Sequence, residues 1–259
     1  MKIKKQVLSF GGGRQSCAIA ALIIAGKLPK PDITVIANTG RERLTTFPYL
    51  QKHVIPALRS VGVELNVINA AEWSYYGTRY VDGSGDLMLP VFMMDGAKAV
   101  KNKPDCSGAW KRDAINRWLS KTHGVTRSKY VKWIGFSTNP KEMARAARMA
   151  RSKKEGGDKT RFPLIELRIS TEDCLRIVRD IGWPEPKVSA CWMCPNLRDS
   201  ERAELSDEEK ALAIKFDEEM RGRFPGTFIH GSMRPLAEVN LDKRDEIFTE
   251  SCDSGNCFV

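Results

Sequence analysis

No stretch of this chain stays apolar for long. Its longest hydrophobic run, residues 18–25, is far shorter than the roughly 20 residues that a membrane-spanning helix needs. The opening MKIKKQVLSF is short and charged, and no apolar h-region follows it, so a secretory signal is not expected. These two absences lead to the expectation of a soluble, cytoplasmic protein with no membrane partner. An even cysteine set is also missing. The seven cysteines are Cys17, Cys106, Cys174, Cys191, Cys194, Cys252 and Cys257. An odd number without a secretion signal argues against a disulfide framework and brings forward metal, cluster or sulfur chemistry. There is no internal repeat and no low-complexity tract.

What is present is ordinary globular material with a basic excess. The 259 residues suffice for one large domain, or a domain with an appended module. Hydrophobic residues make up 42% and charged residues 29%, which places the chain among folded globular proteins. Lysine and arginine outnumber aspartate and glutamate by 42 to 32, a net charge of +10. That balance favours a polyanionic partner, most often nucleic acid. A basic surface kept for solubility is the alternative.

Short apolar runs at residues 6–10, 33–37, 65–68 and 130–135 read as strands. Residues 16–25 read as a helix closed by Gly26. Further helices are expected at 45–61, bent at Pro48 and Pro56, and at 109–121, 140–154, 171–181 and 206–221. Alternating strands and helices predict a doubly wound α/β fold around a mainly parallel sheet. Residues 70–103 have weak periodicity and read as an excursion over the sheet edge, in the manner of a lid. Residues 153–160 read as a flexible connection, and the tail from Gly222 as irregular.

Between the first strand and first helix stands VLSFGGGRQS, with Gly11, Gly12 and Gly13 in a row. Glycines here let backbone N–H groups face a small concave space, and the helix start adds its positive dipole end; together they bind phosphate. The G-x-G-x-x-G spacing is absent, and no lysine precedes Ser16 as a Walker loop requires. A tight turn with no ligand is the other reading.

The glycine segment resembles the pyrophosphatase loop, S-G-G-x-D-S, of the adenine-nucleotide alpha-hydrolase superfamily. Other stretches resemble its phosphoadenosine-phosphosulfate-reductase-like branch, in the right order along nearly the whole chain. They are IANTGRE (36–42), PDCSGAWKRDAINRWL (104–119), IGFSTNPKEMAR (134–145), the FPLIELRIS…SACWMCPN region (162–196), FIHGSMRPL (228–236) and the terminal CDSGNC. The resemblance implies a nucleotide-binding α/β domain over residues 1–160. Residues 161–259 follow as a cysteine-containing C-terminal region with a helical segment packed on that domain.

ATP with Mg²⁺ is the implied ligand, held by Ser9, Gly11, Gly12, Gly13, Arg14, Gln15, Ser16, Asn38, Thr39, Gly40 and Glu42. Arg14, Ser16 and Lys111 are the implied catalytic residues, placed to stabilise phosphate charge. Glu42 would anchor a ribose hydroxyl or a metal. Three positions depart from the pattern. Gly11 stands where many members have serine, Gln15 where ATP-cleaving members have aspartate, and Asn38 where the branch has aspartate. The last two remove carboxylates, so the resemblance leaves Mg²⁺ binding and ATP turnover open.

Cys191-Trp192-Met193-Cys194-Pro195 is a C-x-x-C followed by proline, a spacing at which two thiolates can meet one metal or act as a redox dithiol. The resemblance adds Cys106 as a third ligand, and Cys257 or Cys252 from the tail as the fourth. It implies a [4Fe–4S] cluster; Zn²⁺ suits four thiolates equally well. Cys17 and Cys174 read as packing residues inside helices. Arg145, Arg148 and Arg151 recur every three residues and are the expected nucleic-acid contacts. His230 reads as a phosphate contact, an acid or a structural residue, and Trp73, Tyr75, Tyr76 and Tyr80 as base-stacking or packing groups.

The expected function is adenylation of a DNA or RNA substrate followed by cluster-assisted sulfur transfer. A sulfur-donor protein and a homodimeric assembly go with it. The rivals are a sulfonucleotide reductase using a tail cysteine, and a non-enzymatic nucleotide or nucleic-acid binding module.

Overall fold

The computed structural model describes residues 4–95, 98–102, 105–151 and 160–241. Five strands form one sheet: β1 (Lys5–Ser9), β2 (Ile33–Asn38), β3 (Leu65–Asn69), and, past the separate hairpin β4 (Phe92–Asp95)–β5 (Lys98–Lys101), β6 (Tyr130–Ile134) and β7 (Thr160–Arg161). Their order is β3-β2-β1-β6-β7 and every neighbouring pair is parallel. The strands read as apolar runs because both faces are covered, as parallel sheets require. Val7 points to one face and Leu8 to the other, and both are buried.

One face packs on α1 (Arg14–Ile24), α2 (Thr46–Tyr49), α3 (Ile55–Ser60) and, from further along the chain, the helix at Thr171–Asp180. Leu8, Ile19, Leu50, Trp133 and Val178 share that core. The other face packs on α4 (Ala70–Trp73) and α5 (Ala114–His123), with Val7, Val35, Ile68, Trp118 and Leu119 between the layers. The fold is therefore α/β and doubly wound, as expected.

Element ends differ from the expectations for local reasons. α1 starts two residues early because Gly13 serves as its N-cap. The stretch at 45–61 is not one helix. A π-helical turn, Leu50–Val54, joins α2 to α3 and accommodates Pro56, whose ring nitrogen cannot donate to the preceding turn. A second π-helical turn, Gly108–Asp113, leads into α5, which Gly124 closes at φ +63°. Later helices are α6 (Pro140–Arg151), α7 (Pro163–Glu166), α8 (Thr171–Asp180), α9 (Asp199–Ala203) and α10 (Asp207–Arg223). Ser170 and Ser206 cap α8 and α10 in reciprocal boxes with Asp173 and Glu209.

The excursion at 70–103 is not a lid lying loosely over the sheet. Leu89, Val91 and Trp110 build a second core with Met193, Phe216, Met220 and Ile229 from the C-terminal region. Phe92 exchanges backbone hydrogen bonds with Phe228. Tyr80 meets Phe216 edge-on at 5.5 Å, Tyr76 packs on the same core and Trp73 on the sheet, so these rings are packing groups. Tyr75 alone of the four is exposed, under the Arg117 guanidinium. Among the described residues, no helix is long and apolar enough to cross a membrane.

Candidate functional site

At the C-terminal ends of β1, β2 and β6 lies a cavity of about 320 Å³. This is the crevice where strand order reverses, the usual ligand position in open α/β sheets. One wall is the glycine loop. Gly12 adopts φ +79°, and a Cβ there would stand 3.0 Å from Thr46 and 3.3 Å from Ile36, so it serves the turn and faces the core. Gly13 has no room for a Cβ either, because Ser189 would lie 2.7 Å away. The Ser189 hydroxyl donates to the Gly11 carbonyl, and the Ser16 hydroxyl donates to the Gly13 carbonyl at 2.9 Å. Ser9, Gly11, Gly13, Arg14, Gln15 and Ser16 all line the cavity. Arg14 presents a buried Nε with no hydrogen-bond partner among the described residues, which is what an absent anionic ligand would leave.

The lining also carries thiols. Cys106, Cys191 and Cys194 all line the same cavity. The cysteine loop is pinned to the segment after β2: Trp192 N–H donates to Arg41 at 2.9 Å and Arg43 N–H to Ala190 at 3.3 Å. Burial pushes the Cys191 thiol up to about 12, with Glu42 and Cys194 adding to it against Lys111 and Thr39. Burial also raises Cys106 well above the ordinary thiol range, reinforced by the other two cysteines. Cys194 is raised by burial, opposed by the Asn196 N–H and by Arg202, Lys101 and Lys111.

Lys111 sits among these thiols on the π-helical turn, with its Nζ 3.6 Å from Glu42. Burial works against its charge, but Glu42 and the three cysteines together raise its pKa above the usual lysine value. Beside Cys106, the Ser107 hydroxyl is buried without a partner among the described residues.

Three soft thiol donors in one cavity suit iron–sulfur or zinc binding in kind. They do not form a closed ligand set: among the described residues, no group of three or more His, Cys, Asp and Glu side chains is gathered to hold a metal ion. Cys257 and Cys252 lie outside the described residues.

The expected nucleotide residues divide. Glu42 lines the cavity, but its carboxylate is held by the Thr39 N–H at 3.0 Å and hydroxyl at 2.9 Å as well as by Lys111. Asn38, Thr39 and Gly40 line a neighbouring hollow. There the Asn38 side chain accepts from the Gly40 N–H at 2.8 Å. Gln15 donates to Glu142 at 3.0 Å, so the loop offers no carboxylate, and the residues present do not fit a loop-bound Mg²⁺.

The expected arginine stripe is corrected. Arg148 and Arg151 are exposed, but Arg145 is 6% exposed, its guanidinium 4.6 Å over the Phe136 ring, and it lines the cavity. Spacing by three drifts around a helix, and the cavity-facing ring draws the first arginine inward. His230 is structural: its ring bridges Ser232 at 2.8 Å and Asp199 at 3.0 Å outside the cavity. Cys17 and Cys174 are buried in the sheet-facing core, as packing residues should be. Glu142, Ser189 and Ser107 were missed as site residues. Glu142 and Arg145 both lie in the quoted IGFSTNPKEMAR stretch, which was the available signal for Glu142.

No family model matches the chain, and no curated protein does. Among solved structures it is similar to the U34-tRNA thiolase NcsA from Methanococcus maripaludis with its [4Fe–4S] cluster. The identity is 14% over 93% of this chain and 75% of that one, with a TM-score of 0.43.

Proposed function

We propose that this chain is a pyrophosphatase-loop-type enzyme that activates a nucleic-acid substrate for sulfur transfer. ATP would lie on the glycine loop. An oxygen of the acceptor attacks the α-phosphorus, the α–β bond breaks, and pyrophosphate leaves. Hydrosulfide from a sulfide donor then attacks the activated carbon, and AMP leaves carrying that oxygen. Arg14 and the Ser16 end of α1 would face the phosphates where negative charge builds. Lys111 would hold its proton between Glu42 and the thiols and offer a cation to the same charge. Cys106, Cys191 and Cys194, with Cys257 or Cys252 as the fourth ligand, would hold a [4Fe–4S] cluster, or zinc in its place. When bound, such a cluster supplies a thiophilic centre beside the nucleotide. Arg148 and Arg151 would contact the phosphate backbone of the substrate.

One observation carries this reading: the glycine loop and three cysteines open on a single cavity. The test is purification without oxygen, with iron, sulfide and zinc content measured for the wild type and for a Cys191→Ala/Cys194→Ala variant. About four irons and four sulfides per chain, lost in the variant, are expected. Pyrophosphate release that depends on added RNA or DNA should follow. One zinc and no iron would remove the sulfur-transfer role of the cysteines.

A second reading, reductive cleavage of a sulfonucleotide, is favoured by one feature. Gln15 and Glu142 satisfy each other, which suits a nucleotide that needs no metal. It predicts sulfite release that depends on a thiol reductant.

A further inference from the structure

We propose that the glycine-loop site takes its nucleotide without a protein-bound divalent cation, meeting the phosphate charge with side-chain cations instead. The inference rests on the nucleotide reading common to both functions above.

Three acidic side chains line the cavity, Glu42, Glu142 and Glu201, and each is already engaged. Glu142 accepts from the Gln15 amide at 3.0 Å on one oxygen and from the Ser137 N–H and hydroxyl at 2.7 and 2.5 Å on the other. Glu42 accepts twice from Thr39 and faces Lys111. Glu201 accepts from the Arg198 N–H at 3.0 Å and its guanidinium at 2.6 Å.

A divalent cation demands oxygen ligands, and Mg²⁺ tolerates little departure from its geometry. To reach Glu142 it would have to displace the Gln15 amide from one oxygen, to which it donates at 3.0 Å, or the Ser137 N–H and hydroxyl from the other. Five basic side chains line the same cavity: Arg14, Lys111, Lys141, Arg145 and Arg198. Arginine meets phosphate oxygens in pairs of charge-assisted hydrogen bonds. The Arg14 Nε at the start of α1, buried and without a hydrogen-bond partner among the described residues, is the independent sign that an anion belongs there.

The test is calorimetric titration of the full chain with α,β-methylene-ATP, in millimolar Mg²⁺ and again in EDTA. The dissociation constants should agree within about twofold, or be tighter in EDTA. Binding weakened about tenfold or more in EDTA would overturn the proposal. No binding under either condition would overturn the ATP reading and this inference with it. Gln15→Asp sharpens the assignment, because it sets a carboxylate against Glu142 that a divalent cation would bridge. The variant should bind about tenfold more tightly with Mg²⁺ than with EDTA. A variant as indifferent to Mg²⁺ as the wild type would overturn the assignment to this pair. The wild-type titration stands whether or not the variant folds.

Discussion

Arg202 and Cys194 are joined by a hydrogen bond of 3.1 Å, from the guanidinium to the main-chain carbonyl. The arginine is 1% exposed, and the same nitrogen also donates to the Ile229 carbonyl at 3.1 Å. A buried cation thus ties the cysteine loop to the segment after α10. Replacing it with methionine fills much of the volume but leaves two buried carbonyls short of a donor. Arg202→Met should cost about 2–4 kcal/mol, after allowing for relief of the buried charge. At this chain size that lowers the melting temperature by roughly 4–7 °C, readable by scanning calorimetry. An unchanged melting temperature would show that the guanidinium contributes nothing net.

Gly13 has no space for a methyl group. The Ser189 Cβ would stand 2.7 Å from it and the Ser189 backbone nitrogen 3.1 Å. Relief by a side-chain rotation is closed off, so the loop itself must move. Gly13→Ala is therefore expected to weaken α,β-methylene-ATP binding by about tenfold or more. Titration calorimetry reads this directly, and equal affinity would place the phosphates elsewhere.

The cavity thiols hold their protons. With Cys191 pushed up to about 12, its thiolate fraction at neutral pH is far below that of a free cysteine. The sign is fixed: a raised thiol pKa makes alkylation slow at pH 8, and the rate climbs about tenfold per pH unit toward that value. Mass spectrometry of metal-free protein treated with iodoacetamide should show Cys191 labelled far more slowly than a model thiol. Metal uptake must expel the same protons, so apparent metal affinity should rise with pH. Fast labelling at pH 8 would contradict the burial described.

Arg145 should part company with its two neighbours. Arg148→Ala/Arg151→Ala removes exposed cations and should weaken RNA or DNA binding, lowering the salt slope by about 2. Arg145→Ala should instead weaken nucleotide binding and leave that slope nearly unchanged, because its guanidinium lies over Phe136 inside the cavity. Binding isotherms across a salt series separate the two cases. A slope that moves equally for both variants would restore the surface role to Arg145.

The sheet was legible because doubly covered strands are written as apolar runs: residues 33–37 leave little else to read. The strand-to-helix turn was legible because adjacent glycines between an apolar run and a helical stretch mark a tight connection. The second core was not, since residues near 90 meet residues near 216 and no local period records that pairing. Nor could spacing reveal that Gln15 finds Glu142, or Ser189 finds Gly11, at separations of 127 and 178 positions. Arg145 was misplaced for a related reason. A helix made basic on several sides does not say which arginine an aromatic ring in the loop after β6 will claim.

Ser189 grips the glycine loop two residues before Cys191 joins the thiols of the cavity, and the backbone between them is zipped to residues 41–43. That short stretch is a stiff lever with one end at each site. Any coupling between the two ends is reciprocal. By whatever factor a phosphate ligand changes the affinity of the cysteines for an ion, the ion changes the affinity of the loop for that ligand by the same factor.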